Sequence, residues 1–538
     1  MDIPSLFMIP SAVSSGKVHS VFPNSTDADF DFNRDSSATR VNSQGLIEEV
    51  GYFGSELVSG DNANFNSSTG NWQQFRGVLS WDSYLQAGKW TDNNTSGGPV
   101  GFTMSGGVIP TLASKTYIIE FKAKTDSNNS FNFSFIGESS TFNAISNPNL
   151  TSDFQDYKFT FVTSTANQRL YVGFSGSPLD NGESYFIDNV SVKELIGDRA
   201  RLNYEIEGGL VNTKPSLLLE PQSTNLIKYS NDFTQSEWNK ISGATVDANV
   251  IISPDGTLNA SRLNFDTVVG SRMEDQIAGA SSGDYSFAVY LKADEPKTVG
   301  IRTGFAGTST VNVNVTTEWQ RFSITQNNPT NPANGYAQIR SIDTSGGSVY
   351  VWGAQIEQLS YSTSLIPTNG STQTRAAETC NGAGTSSILP NEGILYFEFK
   401  DIGLTHPNQS SISISGSNSN NRILIYRGSG GAVWQLQIKA GGSTILNTDL
   451  GLSGADSIAN YNKVAVRYKS GSNRRYVNGT RISANGSVET TTFTLSDDIQ
   501  KIQFLPDASA SSNQGYGKFR DIRVYNTKEM TDSEVDIL

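Results

Sequence analysis

Three landmarks recur along this chain at nearly constant spacing. Trp72 is answered by Trp238 at an offset of 166, Lys122 of EFKAK by Lys292 of VYLKA at 170, and Tyr157 of DYKFTF by Trp319 of EWQRFSI at 162. The closing segments YFIDNVSVKEL and VYVWGAQIEQL match as well, with Gly353 set against Asp188. Agreement at several separate points predicts two tandem copies of one fold. Within each copy, segments such as TYIIEFKAK, LYVGF and VYVWGAQIEQL alternate apolar and polar residues at period two between clusters of Gly, Asn, Ser and Pro. That pattern suits a jelly roll or β-sandwich, in which two sheets each bury one face.

The rest of the chain extends the expectation to an all-β protein of tandem jelly-roll or β-sandwich domains with an extended N-terminal arm. Its 538 residues suffice for three or four domains, and 50 glycines with only 17% charged residues suit turns better than helices. Residues 1–51 read as an arm and anchor segment, in which Leu6, Phe7, Met8 and Ile9 want a partner surface and Phe30 and Phe32 alternate with aspartates as in a half-buried strand. Arg34 and Arg40 are expected to pair with local acids in solvent. Residues 52–198 form an inserted jelly roll, 199–224 a junction segment that pairs with the arm, and 225–380 the second jelly roll plus a linker. In the junction, Leu217, Leu218 and Leu219 lie between Pro215 and Pro221, too short a run for a helix, and read as a buried strand. Residues 385–538 give about eight strands of a third sandwich and a terminal acidic turn of helix, with Asn478-Gly479 marking a two-residue hairpin.

Charge and cysteine content narrow the function. A net charge of −13 opposes nucleic acid, whose phosphates would be repelled. Cys380 stands alone, so no disulfide closes within one chain, and a buried, inert thiol is expected. The first residues, MDIPSLFMIPSAVSSGK, carry an acid and two prolines where a secretory leader would be basic and then apolar, and no run is long enough to span a bilayer. A protein made in a cytoplasm and carried outside on a particle fits.

Little in the chain suggests catalysis. His19 and His406 are far apart in sequence, so a Ser-His-Asp triad or a histidine-rich metal centre is hard to build. Paired carboxylates could serve a glycosidase, but no spacing among the 52 acids selects a pair. Sugar recognition would use exposed aromatic faces, and Trp81, Tyr84 and Trp90 are the candidates. The competing reading is that tryptophans in a sandwich are core, as expected for Trp238, Trp319 and Trp352.

Four resemblances frame these readings. DFNRDSSATRVNSQGLIE together with PSLLLEPQSTNLIKYSNDF resembles a segment widespread in tailed-phage virion proteins, where the two halves are usually separated by a short linker; here residues 50–200 intervene, which implies an inserted domain. The stretch with Pro367, Thr368, Arg375 and Ala376 is similar to one that follows the sandwich in those proteins. ELVSGDNANFNSSTGNW with YFIDNVSVKE, and VYVWGAQIEQLSYSTSLIPT, resemble carbohydrate-binding-module jelly rolls. YVNGTRI and FRDIRVYNTKEMTDSEV resemble the concanavalin A-like or laminin G-like lectin sandwich. The resemblances imply a non-enzymatic bacteriophage virion protein, a head or tail fibre or appendage, binding capsid or tail proteins through its arm, assembling as a homotrimer and displaying lectin-like domains toward glycans. They also imply a structural Ca²⁺ held in the first jelly roll by Asp61 and Asp188. The competing class is a bacterial carbohydrate-binding or polysaccharide-degrading protein.

Overall fold

The computed structural model describes the chain apart from residues 1–3, 9–11, 15, 24, 94–99, 105–108, 127–133, 137–149, 164–165, 167–169, 175–181, 198, 208, 279–280, 304–309, 329–333, 385, 387, 404–410, 428–432, 483–488, 508–509, 511–513 and 527–538. Ile9, His406 and the terminal acidic segment lie outside the described residues. Among those described, strands dominate; the α-helices are the short Asp61–Asn64 and Gly454–Ala459. The fold is all-β, and among the described residues no helix is long and apolar enough to cross a membrane.

Gly51–Gly197 forms one compact unit, and Met1–Val50 with Asp198–Leu538 forms the other. The first of these is the segment read from sequence as an insertion. Its opening strand Tyr52–Glu56 pairs with its closing strand Ser184–Gly197, Phe53 opposite Leu195, so both ends leave from one place. Its core holds Phe65, Trp72, Trp90, Phe102 and Tyr185 among other buried residues. A closed core and adjacent ends are what an insertion requires. Residues 52–195 expressed alone should therefore melt in one cooperative transition by circular dichroism, and a sloping, featureless melt would contradict this.

The repeat is present in both sheets, but of the three landmark pairs only Trp72 and Trp238 coincide: by register Lys122 corresponds to Tyr290 and not Lys292, and Tyr157, opposite Phe121, corresponds to Phe322, opposite Val289, and not to Trp319. One sheet of the first sandwich runs Gln155–Val162, Thr116–Thr125, Ser184–Gly197, Ala87–Thr91, Val78–Asp82, and the second sandwich repeats the order with Gln320–Asn328, Gly283–Lys292, Gly347–Glu357, Leu258–Phe265, Thr245–Ile252. In the facing sheets, Trp72–Phe75, Val100–Met104, Leu170–Phe174 and Ser134–Ile136 correspond to Trp238–Ile241, Arg272–Ala278, Asn334–Arg340 and Lys297–Thr303. Trp72 and Trp238 do the same work: both are buried, and each donates its Nε1 hydrogen to a backbone carbonyl at 2.8 Å, of Asn62 and of Tyr229.

A shared bulge corrects the alignment. The pairing register slips between Glu120 and Lys122 in one copy and between Ala288 and Tyr290 in the other. The extra residue on the closing strand has a left-handed backbone in both, Asn189 at φ 53° and Gly353 at φ 62°. Gly353 thus corresponds to Asn189, and Trp352 stands where the first copy has Asp188. Asn and Gly share a place there because both tolerate left-handed backbone, a likeness that side-chain type does not display.

The residues expected to reach outward as an arm are strands of the third sandwich. Leu6–Met8 pairs with the last described strand, Gly517–Tyr525, with Leu6 opposite Val524. Lys17–Val18 and Phe30–Asn33 extend the opposite sheet, where Cys380 faces Phe32. Ser216–Leu219 pairs with Gly517–Tyr525 on one side and with Arg201–Asn203 on the other. Leu6, Met8, Val18, Phe30, Leu217 and Leu219 are all buried in one core with Phe397, Phe504 and Phe519. The partner surface that Leu6 and Met8 need is in their own chain, so these two, like Leu217 and Leu219, are not available for particle anchoring or self-association. The hairpin at Asn478-Gly479 joins Arg474–Val477 to Thr480–Arg481, both turn residues at positive φ.

Where the second and third sandwiches share residues, five charges are buried together. Arg34, Arg201, Arg375, Glu220 and Glu378 come from the three segments 34–50, 201–220 and 375–378, and all are almost wholly removed from solvent. Glu378 Oε1 accepts from Arg34 Nη1 at 2.6 Å and from Arg201 Nε at 2.8 Å, and Oε2 accepts from the Glu220 backbone N–H at 2.8 Å. Glu220 lies 2.8 Å from Arg201 Nη2 and 3.1 Å from Arg375 Nη1, and takes the Ser364 N–H and hydroxyl as well. Arg34 was expected in solvent beside its local acids; burial and the longer reach to Glu378 overturn that, while Arg40 does pair at the surface with Glu48 at 2.6 Å. Burial pushes both carboxyls up, and the guanidiniums more than offset it, leaving Glu220 and Glu378 below the ordinary carboxylate range. Burial likewise pushes the Cys380 thiol far up.

Candidate functional site

The aromatic candidates of the first sandwich do not form a platform. Trp90 is fully buried, donates to the Arg76 carbonyl at 2.8 Å and lies 5.5 Å from the Tyr185 ring. Trp81 is half-buried against the same core and donates to the Phe65 carbonyl at 2.5 Å. Both stand on inward positions, because the strands Val78–Asp82 and Ala87–Thr91 place Trp81 opposite Gly88, whose missing Cβ makes room for Phe65. Tyr84 alone is open, at 92% exposure on the turn between those strands. Of the core expectations, Trp238 and Trp352 are buried, whereas Trp319 is only partly so.

The two acids proposed as metal ligands differ. Asp188 Oδ1 is buried and has no hydrogen-bond partner among the described residues, and burial raises its carboxyl pKa against the pull of Lys122. Asp61 accepts from the Ser67 and Ser68 hydroxyls, each at 2.7 Å, which hold it below the ordinary range. No cluster of three or more His, Cys, Asp or Glu residues placed to hold a metal exists among the described residues. Asp188 offers a hard cation one uncommitted oxygen.

A more developed arrangement lies on the second sandwich, on the outer face of the sheet that starts at Trp238–Ile241. Met273, Ile301 and Ile339 point into the core, so their strand neighbours point out. Register sets Arg272 opposite Arg340, and Glu274 opposite both Asn239 and Gln338, with Arg302 opposite Gln338 in turn. Glu274 Oε2 accepts from Arg272 Nε and from Gln338 Nε2, each at 2.7 Å. Although it is on an outer face, Glu274 is only 8% exposed and Gln338 5%. The Oε1 of Gln338 is buried without a hydrogen-bond partner among the described residues. Tyr336, opposite Gln276, lies one pair further along the same face. Nothing in the sequence singled out these residues, although SRMEDQIA, IRT and AQIRS each alternate charged and apolar side chains; which of them become neighbours depends on a register that strand pairing alone sets.

Beneath this face Asp275 points inward opposite Trp238 and is 4% exposed. Burial, and then the nearby Glu237, push its carboxyl up to about 6. A carboxyl raised in the folded state contributes stability below its unfolded pKa and loses it as pH climbs through the folded value. Asp275→Asn should accordingly stabilise the protein at pH 8 by ~1–3 kcal/mol and change little at pH 3.5. Urea midpoints at the two pH values check this, and an equal effect at both would contradict it.

No protein-family model and no curated protein matches the chain. Among solved structures it is similar to the N-terminal CBM22 tandem domains of Paenibacillus barcinonensis Xyn10C, at 12% identity over 57% of this chain and 98% of that one, with a TM-score of 0.23. It is similar to a CBM4 structure at 19% identity over 24% of this chain and 92% of that one, with a TM-score of 0.20. The enzymatically active domain of tailspike protein 4 of bacteriophage CBA120 matches at 14% identity over 26% of this chain and 21% of that one, also at 0.20. Scores this low carry no argument about function.

Proposed function

We propose that this chain is a non-enzymatic glycan-binding protein, displayed on a bacteriophage virion as a head or tail fibre or appendage, and that the outer face around Glu274 and Gln338 is a saccharide-binding surface. The observation that carries the glycan reading is Gln338: a side chain almost wholly buried on an outer sheet face, with an acceptor oxygen that has no hydrogen-bond partner among the described residues, is suited to a hydroxyl brought by a ligand once the covering side chains part. The virion reading is supported by the residues of the phage-like stretches, since Arg34, Glu220 and Arg375 are the ones that meet in the buried charge cluster. Attachment to capsid or tail proteins and a homotrimeric state belong to the proposal through resemblance, and both would use surfaces other than the N-terminal strands. A structural Ca²⁺ at Asp188 belongs to it as well, resting on the unpartnered oxygen there; a melting temperature unchanged between Ca²⁺ and chelator would remove it. A glycan array probed with the full chain tests the binding, and antibody labelling of intact phage particles tests the location. Absence from particles, with glycan binding intact, would instead favour the bacterial carbohydrate-binding class.

A further inference from the structure

We infer that the third sandwich carries a separate saccharide site: the outer face of its strands Arg422–Arg427, Val433–Ala440 and Ser443–Ser453 is built for a neutral oligosaccharide. Ile423, Ile425, Leu436, Ile438, Leu446 and Leu450 belong to the core, so the residues between them point out. Register places Tyr426 beside Gln435 and Gln435 beside Asp449, with Gln437 beside Asn447 next along the same face. These side chains hold one another. The Tyr426 hydroxyl donates to Asn447 Oδ1 at 3.3 Å, Gln435 Nε2 donates to Asp449 Oδ1 at 3.0 Å, and Gln437 Oε1 accepts from Arg422 Nη2 at 2.8 Å. Long amides on a solvated face ordinarily sample several rotamers, and fixing them in advance removes an ordering cost that a ligand would otherwise meet.

Each of these bonds leaves a group uncommitted among the described residues: Gln435 Oε1 and Asp449 Oδ2 as acceptors, Gln437 Nε2 and Asn447 Nδ2 as donors. They are within a ligand's reach, since Asn447 and Asp449 are exposed, the two glutamines are half-buried, and neither glutamine's free group is closed off from solvent. Two acceptors therefore stand in one row and two donors in the next. A sugar hydroxyl both donates and accepts, so neighbouring hydroxyls can give their hydrogens to one row and take hydrogens from the other. Tyr426, half-buried beside them, offers a ring to the apolar side of a pyranose. Charge decides against an acidic sugar. Arg422 is spent on Asp507 Oδ2 at 2.7 Å as well as on Gln437, and Lys439, opposite Arg422, offsets Asp449. The face is thus neutral as a whole, and where its free acceptors lie the Asp449 carboxylate would repel another.

The test is calorimetric titration of the full chain with xylohexaose, cellohexaose, mannohexaose and oligogalacturonate. A neutral hexaose is expected to bind more tightly than oligogalacturonate, and Gln435→Ala with Asn447→Ala should weaken that binding about tenfold or more. Tyr426→Ala should weaken it too. Should the double variant fail to melt like the parent, Asp449→Asn replaces it: the change turns one acceptor into a donor at constant volume, and a similar loss is expected. Gln338→Leu, on the second sandwich, should leave binding at this face unchanged. Variants of the third sandwich that bind like the parent, oligogalacturonate held as tightly as the neutral sugars, or no binding of any neutral hexaose would each overturn the inference. Binding abolished by Gln338→Leu alone would overturn it while leaving the second-sandwich reading in place, and binding lost only in the third-sandwich variants would support it while removing that reading. Failure both here and on the array would overturn the glycan reading itself.

Discussion

Glu378→Gln is expected to destabilise the larger unit by about 3–5 kcal/mol, among the largest effects a single isosteric change can have in this chain. The substitution keeps the volume but leaves three buried guanidiniums with one carboxylate, and Arg34 and Arg201 both lose a charged acceptor that no water can replace at zero exposure. Glu48→Gln is the control: its partner Arg40 is partly solvated, and ~0.5 kcal/mol or less is expected. Urea midpoints at pH 7 measure both, and similar small shifts for the two would show that the buried cluster is energetically idle. The pH dependence follows from the sign of the shifts. Both cluster carboxyls lie below their ordinary range, so their contribution is fully present above the unfolded carboxylate pKa of about 4.3 and is lost as pH falls below it. The acid limb of the parent's stability curve should be correspondingly steep, and shallower in Glu378→Gln.

How much of this was open to a sequence reader differs from one feature to the next. The tandem pair was legible because Trp72 and Trp238, with their flanking period-two strands, are local patterns that repeat. The buried strand at 217–219 was legible from three leucines between prolines. Arg34 was not, because aspartates at 29, 31 and 35 offer it nearby partners on paper, whereas its carboxylate is Glu378, 344 positions away. The arm was misread for the same reason: Leu6 and Met8 declare a need for burial without declaring where, and a strand partner at the far end of the chain leaves no local mark. Among site residues, aromatic type pointed to Trp81 and Trp90, but facing direction, which decides between core and platform, is set by which face of the strands Val78–Asp82 and Ala87–Thr91 turns toward the core. The face around Glu274 depends on three strands falling into register, which alternation alone cannot specify.

Removing residues 1–25 should abolish the cooperative folding of the third sandwich, not merely detach an appendage. The deletion strips one strand from beside Gly517–Tyr525 and another from the edge of the opposite sheet. It also takes Leu6, Met8 and Val18 out of the core. Burying side chains of this size is worth about 2–5 kcal/mol each by truncation, so the combined loss is comparable to the ~5–15 kcal/mol that holds a typical domain. Limited proteolysis with mass spectrometry would then show cleavage throughout 385–526, while 52–195 persists. A truncated chain that resists protease like the parent would mean that the N-terminal strands are dispensable decoration.

The pairing of Ser5 with Val524, 519 positions apart, also bears on how the molecule is made. On a ribosome residue 5 emerges 519 positions ahead of its neighbour in the sheet. Two complete sandwiches can close in the interval, each from contiguous sequence, while residues 5–33 wait with their apolar side chains uncovered. The third sandwich is therefore a post-translational product with very high contact order, slow to form and exposed to mispairing between nascent chains on one polysome. A chain of this design is expected to gain more from slowed initiation or a chaperone holding its N-terminus than from any change that speeds folding of the inserted sandwiches.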